Sequence, residues 1–260
     1  DYQNPPVVDR QIARSFRDYV GIGPDEIMIL QPTRVVQRKG IEHAINLVKA
    51  LDRPDRKCKL VISHQAGDEG FDYAEWLGDY ARSQAVDLIF VETHLCDPWG
   101  VDTCRYPQFS LWDVYPGADF VTYPSLYEGF GNGFLEAVYF KRPLLVNRYA
   151  TFAKDIEPLG FNVATMDGFL NSDAVAQVNR LLDSERLRDQ VTTHNYNIAW
   201  KYFSYEALQT QLNTAMTDLF GGRINRLTGG SETPAAALTH EQEQIEKTLS
   251  AKVPWTSSYN

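Results

Sequence analysis

Short continuous apolar runs alternate with amphipathic stretches along most of this chain. Glu26-Ile-Met-Ile-Leu30, Lys59-Leu-Val-Ile-Ser63, Asp87-Leu-Ile-Phe-Val91, Asp119-Phe-Val-Thr-Tyr123, Pro143-Leu-Leu-Val-Asn147 and Phe161-Asn-Val-Ala-Thr165 have strand length and little polar alternation. Between them, Lys39 to Leu51 places Ile41, Ala44, Ile45, Val48 and Leu51 on one helical face. Phe71 to Ala85 and the short Phe109 to Tyr115 also read as helices, and Phe134, Leu135, Val138 and Tyr139 mark another. Strands that lack an exposed face, each followed by a helix, predict a parallel sheet covered on both sides. The expected fold is therefore α/β, a doubly wound, Rossmann-like parallel sheet with C-terminal helices.

The same pattern divides the chain. Residues 1–25 read as a linker and a first helix, Gln11 to Tyr19, carried by Ile12, Phe16 and Val20 and stopped by Gly21-Ile-Gly-Pro24. Residues 26–220 form the domain. From Ser172 the chain turns helical, with Ser184 capping Glu185 to Trp200 and Ser204 capping Tyr205 to Phe220. Residues 221–260 read as a linker, Gly221 to Leu238, and a polar helix opened by the capping-box-like Thr239-His-Glu-Gln242 and running to about Ala251.

Doubly wound sheets bind ligands outside the carboxyl ends of their strands. The informative segments are then Gln31 to Arg38, His64 to Gly70, Glu92 to Pro98, Pro124 to Gly133 and Arg148 to Phe152. The fourth carries a glycine-rich turn, with Gly129, Gly131 and Gly133, between the strand ending at Tyr123 and the next helix. Such a turn directs free backbone N–H groups and the positive end of a helix dipole at a phosphate or sugar oxygen. Glu128 and Glu136 flank it. If much of their interval is helical, they stand roughly 10 Å apart at about 1.5 Å rise per residue. Retaining hydrolases need about 5 Å and inverting ones roughly 6.5–9.5 Å, so an acid–base pair fits less well than two anchors for one long ligand such as a nucleotide sugar. The first segment carries Arg34 and Lys39, a forked guanidinium and a point ammonium able to neutralise a diphosphate, ahead of Gly40.

The formal charge of −9 excludes a nucleic-acid track, since the basic cluster at Arg34 to Lys39 and Arg53 to Lys59 is too local for one. Cys58, Cys96 and Cys104 form no Cys-x-x-Cys pair, and their odd number speaks for reduced thiols in a cytoplasmic setting. No run is long enough to span a bilayer, which leaves peripheral membrane contact open. His64 and His94 follow strands on the ligand edge, whereas His43 and His194 fall on helices. Without a His-x3-His pair, no metal site is expected. Trp200, Tyr202, Phe203 and Tyr205 read as a hydrophobic clamp on the closing helix.

The Arg34-x4-Lys39-Gly and Pro124-Ser-Leu-Tyr-Glu-Gly-Phe-Gly-Asn-Gly-Phe-Leu-Glu136-Ala elements together resemble the donor-binding, C-terminal half of retaining glycosyltransferases of family 4, which have the two-domain GT-B architecture. The resemblance covers roughly residues 26–220. It implies that Arg34 and Lys39 bind the diphosphate and stabilise its charge as it leaves. Glu128 would hold hydroxyls of a glucose- or mannose-type hexose and Glu136 the ribose, while Gly129, Phe130 and Gly131 present backbone N–H groups. Asn132, His64 and His94 complete the expected donor site. Neither a metal nor a cofactor is implied, the nucleoside-diphosphate sugar being the donor substrate. The chain departs from the family at Ser63-His-Gln-Ala66, where glycines are usual, and in an apparent insertion from Thr93 to Gln108. It also lacks a counterpart of the amino-terminal acceptor domain, expected in the same polypeptide or in a separate chain; Asp1 opens it in the manner of a linker within a longer protein. The alternatives are a non-catalytic nucleotide-sugar-binding or assembly module, and a GT-B-like epimerase or phosphorylase.

Overall fold

The computed structural model describes residues 1–4, 7–64, 71–91, 95–96 and 109–227. Two compact units divide at Ser204 and Tyr205. In the first, Arg10–Tyr19 (α1) precedes Ile27–Gln31 (β1), Ile41–Leu51 (α2), Cys58–Ile62 (β2), Phe71–Ser83 (α3) and Asp87–Phe90 (β3). Leu95–Cys96 (β4) pairs in parallel with Phe109–Ser110 (β5), away from the main sheet. Then come Leu111–Gly117 (α4), Phe120–Tyr123 (β6), Asn132–Tyr139 (α5), Leu144–Asn147 (β7), Ala164–Met166 (β8), Ser172–Asp183 (α6) and Glu185–Phe203 (α7).

The main sheet has six strands, all parallel, in the order β3-β2-β1-β6-β7-β8. Because successive side chains of a strand alternate faces, the central strands feed two cores. Met28, Leu30, Val61 and Val121 join Phe16, Tyr115, Phe134 and Val138, on the side of α1, α4, α5 and α7. Ile29, Leu60, Ile62 and Phe120 join Ile41, Ile45, Val48, Leu77 and Val178, on the side of α2, α3 and α6. The doubly wound expectation therefore holds, and the strand order reverses between β1 and β6.

Several boundaries move, each for a local reason. Within residues 1–25, α1 falls where the first helix is expected, but the connector ahead of it is anchored at Tyr2. Tyr2 is buried and its hydroxyl donates to the Leu135 carbonyl at 2.9 Å, while Arg17 reaches from α1 to the Gly117 carbonyl (2.9 Å) and the Asp119 carboxylate (2.8 Å). The same carboxylate accepts the Met28 N–H at 2.8 Å, so α1 is pinned to the amino ends of β1 and β6. The helix expected from Phe109 starts at Leu111, because Ser110 is its N-cap and its N–H donates to Asp113 at 2.7 Å. Of the expected clamp, Trp200 and Tyr202 are exposed; Phe203 makes the contact, edge-on to Phe130 at 5.4 Å. Ser184 caps α7 as expected, its hydroxyl accepting the Leu187 N–H at 3.3 Å.

The second unit begins with Tyr205–Leu227 (α8). This helix runs through Gly221-Gly222, where a linker was expected; two glycines cost about 1 kcal/mol each, and without a proline that does not stop a helix. The polar helix expected from Thr239 lies outside the described residues. Among those residues, no helix is long and apolar enough to cross a membrane.

Gly40 marks the crossing of the two central loops. Its φ is +60°, and a Cβ there would lie 2.6 Å from the Pro124 carbonyl oxygen. Gly21, at φ +72°, has open space around it. Gly21→Ala should cost roughly 1 kcal/mol through backbone strain alone. Gly40→Ala should cost clearly more in urea denaturation, and equal losses would contradict the crossing as the tighter constraint.

Candidate active site

The reversal between β1 and β6 leaves a crevice at the carboxyl ends of the strands, and three loops converge on it. A cavity of about 420 Å³ opens there. Pro32, Thr33, Arg34, Arg38 and Lys39 come from the loop after β1, and His64 from the loop after β2. Tyr123, Glu128, Phe130 to Gly133 and Glu136 come from the end of β6, the glycine turn and α5.

Hydrogen bonds from beneath fix both central loops. The buried Gln31 amide donates to the Lys39 carbonyl and to the Thr33 hydroxyl, each at 3.1 Å, folding the basic loop back over its own strand. The Leu126 N–H donates to the Arg38 carbonyl at 2.8 Å and stitches this loop to the next. Under the glycine turn, the Tyr149 hydroxyl donates to the Phe130 carbonyl (2.9 Å) and the Thr151 hydroxyl to the Glu128 carbonyl (3.1 Å). Gly131 has φ +106°, and a Cβ would meet the Tyr149 hydroxyl at 2.7 Å, so the turn admits no side chain there. Only glycine fits that approach. Helix α5 begins at Asn132 with no side-chain cap, which leaves the positive end of its dipole for a ligand.

The helix thus covers only the last part of the interval from Glu128 to Glu136, and the earlier spacing estimate for a largely helical interval does not apply. What separates the two carboxylates is their partners. Glu128 pairs with Lys39 through one oxygen and accepts from Arg38 at 3.3 Å through the other. Glu136 accepts from the fully buried Tyr115 hydroxyl at 2.6 Å through a single oxygen. Burial pushes the Glu128 carboxyl up, but hydrogen bonding and charge from Lys39 more than offset this and hold it below the usual range. Burial pulls the Lys39 ammonium down despite Glu128. Arg34 is exposed and has no ion pair among the described residues.

His64 is a different kind of group. Burial, then Lys39, then Arg34 pull its imidazole below the ordinary range, so it is neutral at pH 7; its Nδ1 lies 3.0 Å from the Ser63 hydroxyl.

Of the residues singled out from the sequence, Arg34, Lys39, His64, Glu128, Phe130, Gly131, Asn132 and Glu136 line the cavity. Gly129 does not; it sits on the exposed shoulder of the turn. His94, with Cys104 and most of the apparent insertion, lies outside the described residues. Arg38, Thr33 and Tyr123 were missed. Arg38 stood in the basic loop, but only the fold shows that it faces Glu128, and Tyr123 was read as a strand end although its ring lies 5.8 Å from the Lys39 ammonium. Among the described residues, no group of His, Cys, Asp or Glu could hold a metal ion.

No family model matches the chain. It is 29% identical over 236 residues to mannosylglucosylglycerate synthase of Thermotoga maritima, covering 80% of this chain and 53% of that protein. It is 36% identical over 167 residues to the synthase of the same name from Petrotoga mobilis, covering 57% and 37%. The chain thus spans about half or less of the length of these curated relatives. Among solved structures, the C-terminal domain of a group 1 family glycosyl transferase from Francisella tularensis matches with a TM-score of 0.58 at 19% identity, over 79% of this chain and 98% of that one. Anabaena HepE in complex with UDP matches with a TM-score of 0.64 at 14% identity, over 81% and 53%. The sequence relatives and the Francisella neighbour are glycosyltransferases or their domains, and the chain has the Rossmann-like fold of a GT-B C-terminal half.

Proposed function

We propose that the chain is the donor-binding half of a retaining hexosyltransferase that uses a nucleoside-diphosphate sugar without a metal ion. The observation that carries this is one cavity at the strand-order reversal, lined together by an uncapped helix N-terminus, Arg34, Lys39 and two differently partnered carboxylates. The resemblance of both motifs to family 4 enzymes and the UDP complex of a structural neighbour support it.

In this reading Arg34, Lys39 and the N–H groups at the start of α5 receive the diphosphate. Their positive charge is fixed before reaction, so it stabilises the leaving group as negative charge develops without reorganisation. Lys39 is held by Glu128, whose carboxylate also faces the hexose hydroxyls. Glu136 has one oxygen engaged by Tyr115 and the other left to accept from the ribose. Attack on the same face as departure, through an oxocarbenium-like state, would retain the anomeric configuration without a protein nucleophile.

UDP, GDP or ADP should raise the melting temperature without magnesium; a ligand at a hundred times its Kd adds about 2.7 kcal/mol. No shift with any nucleoside diphosphate contradicts the reading. In calorimetry, Arg34→Ala should weaken binding by roughly tenfold or more, the scale of a charged hydrogen bond. Glu136→Gln should weaken the nucleoside diphosphate but leave inorganic pyrophosphate unaffected, and equal losses for both would remove the ribose role.

His64 adds a pH signature. In the free chain its depressed pKa keeps it neutral above about pH 6.5, where a free imidazole titrates. A bound diphosphate offsets the field of Lys39 and Arg34 and raises that pKa, so binding takes up a proton and tightens as pH falls through the raised value. Calorimetry in buffers of different ionisation heat should show this uptake in the wild type and less of it in His64→Gln. Identical proton counts would contradict it.

A further inference from the structure

A second, larger cavity of about 950 Å³ lies beside the first, and Arg38 lines both. It is built from the start of α2, the start of α3 and the two central loops, with Glu42, Asp72, Tyr73, Trp76, Leu126 and Tyr127 among its lining. Nothing in the donor-binding mechanism uses these residues. Three of them are exposed apolar side chains: Trp76 at 47%, Leu126 at 44% and Tyr127 at 64%.

The aromatic wall is pre-built. On α3, Tyr73, Trp76 and Tyr80 stack as a column, with ring centroids 5.8 and 5.2 Å apart and planes within 12° and 4° of parallel. The Tyr73 hydroxyl donates to Glu42 at 2.5 Å and the Tyr80 hydroxyl to Asn46 at 2.8 Å, fixing the column to α2. Exposing such a column to water has a cost, and holding it rigid lowers the entropic cost of binding a ligand. On the other loop, the Arg38 guanidinium lies 5.5 Å from the centre of the Tyr127 ring.

The charge of the cleft restricts what fits. Arg38 is the one cation among its described lining residues, and Glu128 already engages it. Glu42 and Asp72 add two carboxylates. An anion is therefore disfavoured. A pyranose meets both features: its C–H face, slightly positive, lies against an aromatic face, and its hydroxyls donate to carboxylates. We infer that this cleft is a saccharide-binding subsite, formed by Trp76, Tyr73 and Tyr127 with Glu42 and Asp72, that takes a neutral sugar unit of the acceptor next to the donor pocket. Its assignment to the acceptor rests on the donor reading; saccharide binding itself does not.

The test titrates the 260-residue chain with maltose and with a mannobiose by ligand-observed NMR and calorimetry, with and without UDP. Saccharide binding is expected, with Trp76→Ala and Tyr127→Ala each weakening it about tenfold while UDP affinity is unchanged. Retained UDP binding also reports that each variant is folded. If Trp76→Ala loses UDP binding and fails to fold, the loop variant Tyr127→Ala decides. UDP binding with no saccharide binding, or saccharide binding that neither substitution moves, overturns the inference and leaves the donor reading intact. Saccharide binding that Tyr127→Ala weakens, in a chain that binds no nucleoside diphosphate, supports the subsite and overturns the donor reading instead.

Discussion

The ion pair of Lys39 and Glu128 joins the two loops that flank the reversal of strand order, and the site depends on it. Each partner is nearly enclosed, with 9% of either side chain exposed. A lysine so placed keeps its charge only beside a carboxylate, and a carboxylate so placed remains ionised only beside a cation. The pair therefore holds a positive group at the crevice and a hydrogen-bond acceptor beside it at once. Gly40 allows the two loop backbones to approach closely enough for the pair to form.

Around this pair the charges are graded. Lys39 is buried and committed, Arg38 is shared between Glu128 and the Tyr127 ring, and Arg34 is exposed and uncommitted. An arriving anion meets Arg34 before it meets the neutralised centre. Arg38 stands on the boundary between the donor pocket and the aromatic cleft, so occupancy of one is positioned to be felt in the other.

Much of this was legible because it is local. A run of buried apolar residues writes a parallel strand, and the crevice must lie at the strand ends, which singles out Arg34, Lys39 and the glycine turn without coordinates. What was not legible depends on contacts between distant parts of the chain. Tyr2 looked like linker because its partners, Leu135 and Tyr196, come much later, and Arg17 gave no sign that Asp119 would meet it. Arg38 and Lys39 are neighbours of the same charge, and sequence alone does not say which turns inward. The segment from Phe71 to Ala85 shows only helical spacing, and the fold alone shows Tyr73 and Trp76 edging a cleft.

The most direct measurement is a crystal structure of the chain soaked with a nucleoside-diphosphate hexose. The diphosphate should lie against Arg34, Lys39 and the first N–H groups of α5, with the ribose on Glu136 and the hexose toward Glu128. A diphosphate bound away from the α5 N-terminus, or a ribose and hexose with their ends exchanged, would contradict the account.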